Sequence, residues 1–102
     1  MLAELTIVPI GKGVSVSGDV AKAVKIIDES GLDYRLNPMG TVMEGDIDQI
    51  FDVVKKCHEA VMRDSQRVLL TLNLDDRKDR PHPRLDKKVA SVEKKVGRIL
   101  KK

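Results

Sequence analysis

Aromatic residues are nearly absent from this 102-residue chain: it has one Phe, one Tyr and no Trp. A hydrophobic core must therefore be built from Val, Ile, Leu, Met and Ala, and aromatic interleaving for stacking on nucleic-acid bases is absent. The lone Cys57 excludes an internal disulfide and fits a reducing compartment. Long apolar runs are missing as well, and no basic leader precedes the first strand, so a soluble cytoplasmic protein without membrane contact is expected. A chain of this length makes one domain that buries roughly 65% of its unfolded surface. With few large anchors in such a core, self-association would help to bury more.

Charge is present in both signs and unevenly placed. Residues 1–75 hold 8 Lys/Arg against 12 Asp/Glu, whereas residues 76–102 hold 11 against 4. The basic segment suits an anionic partner, or the acidic part of the same domain or of a sister subunit. Without aromatic interleaving, the second is the better reading.

Hydrophobic periodicity divides the chain clearly. Leu2 to Ile10 alternates as a strand, with Ala3, Leu5 and Ile7 on one face and Glu4, Thr6 and Val8 on the other. After Gly11-Lys12-Gly13, Ser17 stands at a helix N-cap, Val20, Ala23, Val24 and Ile27 form a stripe, and Gly31 caps the C-terminus. Leu32, Tyr34 and Leu36 alternate with Asp33, Arg35 and Asn37 in a second strand. Pro38-Met39-Gly40 turns the chain into a short third strand, Thr41 to Glu44. A second helix carries the stripe Ile47, Ile50, Phe51, Val54, His58, Val61 and Met62, ending near Asp64-Ser65. Arg67 to Asp75 is the fourth strand, with Val68, Leu70, Leu72 and Leu74 on one side and Leu69, Thr71 and Asn73 on the other.

This order predicts an α+β fold: a ferredoxin-like βαββαβ unit over 1–76, whose four-stranded antiparallel sheet carries both helices on one face. A charged turn over 76–84 and a third helix over 85–101 complete the single domain. Apolar positions Leu85, Val89, Val92, Val96 and Ile99 are spaced 4, 3, 4, 3, a narrow seam suited to helix pairing. It fits docking along its own sheet edge and pairing with another subunit equally well.

The other face of the sheet should show Glu4, Thr6, Val8, Arg35, Asn37, Leu69, Thr71 and Asn73. Strand three contributes either Thr41 and Met43 or Val42 and Glu44. A face so mixed suits a subunit interface enclosing a polar, ligand-sized pocket.

No catalytic constellation emerges. Gly11-Lys12-Gly13 lacks the spacing of a P-loop, and Ser17 has no base placed beside it. Cys57-His58, with only His82 to join it, falls short of the three or four ligands of a metal site; His58 reads as a core-edge residue. Glu44, Asp75 and Asp76 form a carboxylate cluster without the contrasting environments of an acid–base pair. Arg77, Arg80 and Arg84 suit ion pairs with Asp75, Asp76, Asp79 and Asp86, phosphate binding being the sharper alternative.

Four stretches carry a resemblance that covers nearly the whole chain: AELTIVPIG, SGLDYRLNPMGTVMEGD, CHEAV, and RVLLTLNLDDRKDRP ahead of LDKKVASV. The chain resembles the thiamine-binding-protein-like family of small ferredoxin-like proteins, single-domain relatives of the YkoF-like proteins. The resemblance implies dimers and tetramers built through the sheets. It also implies a site for thiamine or its hydroxymethylpyrimidine moiety, serving binding and not turnover; from the residues themselves, no cofactor or metal is expected. An aminopyrimidine needs donors and acceptors that Ser17, Thr41, Glu44, Asn73 and Asp75 can supply. Tyr34, Met39 or Met43 would take the stacking role, since Phe51 lies on a core stripe. The reading is a non-enzymatic, homo-oligomeric binding protein for thiamine or a related pyrimidine. Its alternatives are an interaction protein that uses the open face only for assembly, and nucleic-acid binding through the basic last helix.

Overall fold

The computed structural model describes residues 1–79 and 83–102. Its elements follow the order β1 (Leu2–Pro9), α1 (Ser17–Glu29), β2 (Asp33–Asn37), β3 (Gly40–Glu44), α2 (Ile47–Met62), β4 (Val68–Asp75) and α3 (Lys87–Val96). The strands form one antiparallel sheet in the order β2-β3-β1-β4. That is the expected ferredoxin-like arrangement with an added C-terminal helix.

Period-two patterning sets the inner face. Ala3, Leu5 and Ile7 of β1 are buried against Ala23 and Ile27 of α1 and against Ile50, Val53, Val54, Cys57 and Val61 of α2. Register settles the parity that strand three left open. Thr41 pairs with Leu5 and Met43 with Ala3, so both face the helices, while Val42 and Glu44 pair with Glu4 and Leu2 on the other side. Gly40 is needed at its position: a Cβ there would stand 3.0 Å from Thr6 Oγ1 and 3.1 Å from the Leu5 carbonyl oxygen.

The helices correct several expectations. α1 begins at Ser17 itself, with Val16 as the capping residue and no side-chain cap; Ser17 Oγ lies 3.4 Å from Ser15 Oγ instead. Gly31 does follow the helix at φ +81°. α2 opens on a capping box, in which Asp46 Oδ1 accepts the Gln49 N–H at 2.8 Å and Gln49 Oε1 accepts the Asp46 N–H at 3.0 Å. Its buried stripe is Ile50, Val53, Val54, Cys57 and Val61. Ile47, Phe51, His58 and Met62 are exposed, so neither Phe51 nor His58 belongs to the core. The two apolar stripes overlap at Ile50, Val54 and Val61. Packing against α1 and β1 together selects the set rotated toward Val53 and Cys57.

α3 is shorter than expected, because Gly97 takes up φ +88° and ends it. Ile99 therefore lies beyond the helix and the seam shrinks to Val89, Val92 and Val96, with Leu85 in the preceding turn. α3 stands over the face of the sheet opposite α1 and α2, so that face is not left open along its whole width. Among the described residues no helix is long and apolar enough to cross a membrane.

Candidate ligand site

Three strands deliver the residues that hold α3 in place. Glu44 ends β3 and Asp75 ends β4, and both lie opposite Leu2 of β1 in register. The buried Glu44 carboxylate accepts the Arg84 N–H (3.0 and 2.7 Å to its two oxygens) and the Leu85 N–H (3.1 Å). Arg84 is itself buried, and its guanidinium donates to the Asp75 carboxylate at 3.0 Å and to the Asp75 carbonyl at 3.3 Å. Lys88 Nζ joins the same carboxylate at 2.9 Å, and Arg35 of β2 grips Asp86 at 3.0 and 2.8 Å. The Lys88 and Arg84 hydrogen bonds hold the Asp75 carboxyl below its usual range. Asp86 provides no side-chain cap for α3, so these contacts from the sheet fix the start of the helix.

The consequence is a cleft of about 570 Å³ between sheet and helix. Leu2, Glu4, Val42 and Asn73 form its floor; Leu85, Val89 and Val92 form its roof. A second hollow of about 530 Å³ lies on the other flank of α3, reached by Arg35, Asn37 and Glu93. In the larger cleft Glu4 and Asn73 are directly opposed across the β1–β4 ladder. A carboxylate and a primary amide thus stand side by side among apolar neighbours, the combination that accepts from and donates to an aminated heterocycle.

The six residues singled out from sequence are divided between two sides of the sheet. Asn73 and Asp75 line the cleft. Glu44 borders it on the same face, with its carboxylate engaged by the chain ahead of α3. Thr41 is buried on the helix side, where it lines a mostly apolar hollow of about 240 Å³ with Val20, Met39 and others. Tyr34 also faces the helices; its hydroxyl donates to Asp28 at 2.7 Å, which raises the phenol's pKa. Ser17 starts α1, beyond the far end of β1. Of the proposed stacking groups, Met39 is exposed and Met43 is fully buried.

Glu4, which lines the cleft, is not among the residues singled out from sequence, although alternation placed it on the correct face. Its partnership with Asn73 appears only once β1 and β4 are in register. The charged turn is partly as expected, with Arg84 pairing with Asp75 and Arg77 with Asp79. Arg80 and His82 lie outside the described residues. Cys57 is buried, its thiol donating to the Ala23 carbonyl at 3.5 Å, while the adjacent His58 is exposed. No group of three or more metal-ligating side chains occurs among the described residues.

Comparison with known proteins agrees with this architecture. The model of the thiamine-binding protein family matches residues 3–93. The UPF0045 protein MJ1052 of Methanocaldococcus jannaschii is 39% identical over 92 residues, covering 90% of this chain and 91% of that one. Its crystal structure superposes with a TM-score of 0.84 at 40% identity, over 89% of this chain and 93% of that one. A UPF0045 protein of Synechocystis is 42% identical over 94 residues, covering 91% of this chain and 77% of its own length. A Thermotoga maritima protein described as a candidate thiamine biosynthesis/salvage protein shares the fold. Its TM-score is 0.78 at 22% identity, over 89% of this chain and 96% of that one. With the match spanning nearly its whole length, this chain belongs to the thiamine-binding protein family.

Proposed function

We propose that this protein is a non-enzymatic, cytoplasmic binding protein for thiamine or its hydroxymethylpyrimidine moiety, working as a homo-oligomer. The observation that carries the reading is the Glu4–Asn73 pair on the floor of the cleft under α3, in a chain of this family. Asn73 offers both an acceptor and a donor to the aminopyrimidine, and Glu4 accepts from its exocyclic amine. Leu2, Val42, Val89 and Val92 take the ring faces, replacing the aromatic stack that the composition does not provide.

Isothermal titration with thiamine and with hydroxymethylpyrimidine tests the reading. Heat with at least one ligand, lost in Glu4→Gln/Asn73→Ala, is the expected result; no heat with either rejects it.

A second reading, assembly alone, is favoured by the apolar surface around the cleft. Leu69 is 53% exposed on the sheet, and Val92 and Val96 are exposed to similar extents on α3. Titration and size-exclusion together separate the two. A binding protein gives heat with at least one ligand, whereas an assembly protein gives heat with neither and dissociates in Leu69→Glu/Val96→Glu.

A further inference from the structure

Beside the cleft lies a pocket of about 400 Å³ that the proposed heterocycle site does not use. It is lined by Arg77, Arg84, Lys87, Lys88, Ser91 and Lys95, with Asp75 as its one acid. Lys87, Lys88, Ser91 and Lys95 share one flank of α3, adjacent to the apolar seam, and Arg77 closes the pocket from the end of β4. Local ion pairs use part of this charge: Asp75 serves Arg84 and Lys88, and Asp79 serves Arg77. The side chains of Lys87, Lys95 and Ser91 have no ion pair or hydrogen bond to any described residue.

Lys95, in the last turn of α3, suits the helix dipole, but Lys87 at the start of the helix does not. Lysines in the first turn of a helix oppose its dipole, and α3 has no acidic residue in its first turn. A concave site with several cations and few competing carboxylates focuses positive potential on its interior. Two free ammonium groups and a hydroxyl around such a hollow match the several acceptor oxygens of a phosphate or diphosphate group.

The pocket also adjoins the cleft. Asp75, Lys88 and Val92 line both, so the two share a wall that includes the Lys88–Asp75 ion pair, and a ligand displacing Lys88 from Asp75 would reach from one into the other. The geometry points to an organic phosphate as the ligand class: a heterocycle under α3, as proposed above, joined to a phosphate or diphosphate held by Lys87, Ser91 and Lys95. This rests on the heterocycle reading of the cleft, while the anion pocket stands on its own lining.

Isothermal titration of the full chain with inorganic pyrophosphate, thiamine and thiamine diphosphate tests it, using wild type and Lys87→Ala/Lys95→Ala. Both lysines are exposed, so the variant should fold as wild type does. Thiamine diphosphate is expected to bind at least about tenfold more tightly than thiamine, the scale of one charge-assisted hydrogen bond. That advantage, and pyrophosphate binding, should vanish in the variant while thiamine binding stays unchanged. Equal affinity for thiamine and its diphosphate, or pyrophosphate binding indifferent to the two lysines, overturns the inference. So does a variant-sensitive preference for duplex DNA over pyrophosphate, which would make the pocket part of a polyanion surface. Pyrophosphate binding without any thiamine heat removes the heterocycle reading and leaves the anion pocket intact.

Discussion

The carboxylate of Glu44 accepts the backbone N–H of Arg84, 40 residues further along the chain, at 3.0 and 2.7 Å. This contact and its companion to Leu85 bring the end of β3 to the segment ahead of α3. They determine where the last helix stands over the sheet, and hence that a cleft exists there.

Replacing Glu44 by alanine leaves the Arg84 and Leu85 N–H groups, both of buried residues, without their acceptor. An unsatisfied buried donor costs about 1–3 kcal/mol, so a loss of about 2 kcal/mol or more is expected in urea unfolding. Hydrogen exchange should show α3 losing protection before the sheet does. Unchanged protection at Arg84 and Leu85 would count against the anchoring role.

Acid should loosen the same junction. The Asp75 carboxyl is held below its usual value by Lys88 first and Arg84 second. A depressed folded-state pKa contributes stability that is fully present above the unfolded value and is lost as pH falls through the folded one. Asp64 and Glu93 are depressed too, through Lys22 and Lys102, so the wild-type acid transition is composite. Asp75→Asn should make stability less dependent on pH below the ordinary carboxylate range. An acid transition identical to that of wild type would refute this.

The rotation of α2 makes a sharp comparison. Ile50 is fully buried, whereas Ile47 is half exposed. Ile50→Ala should cost about 2–5 kcal/mol, and Ile47→Ala less than about 1.5 kcal/mol. Equal losses in chemical denaturation would restore the stripe first read from the sequence.

Burial pushes the Cys57 thiol up to about 11, and none of its surface is exposed. Only the thiolate is an efficient nucleophile. A disulfide reagent should therefore modify native protein at the rate of unfolding and denatured protein at once; rapid native labelling would show that the core admits solvent at this point.

Part of the candidate site was legible in one dimension. Asn73 and Asp75 follow from counting alternate residues along a single strand. Glu4 does not become a partner until register sets it opposite Asn73. Thr41 and Tyr34 have suitable chemistry but point to the helix side, a parity that a five-residue strand with mixed residues on both faces leaves open. Glu44 was singled out for its charge, and the structure engages that charge with the chain's own backbone.

The order of strands and helices, the inward faces of β1 and β4 and the glycine stop after α1 were determined by sequence alone. Each depends on neighbours within about one or two turns, where apolar spacing and glycine's tolerance of positive φ suffice. The rotation of α2, the parity of β3 and the station of α3 over the sheet were decided by tertiary structure. In each case two local solutions were comparable, and only distant partners distinguished them: the α1–β1 surface for α2, register with β1 for β3, and the carboxylates of Glu44 and Asp75 for α3.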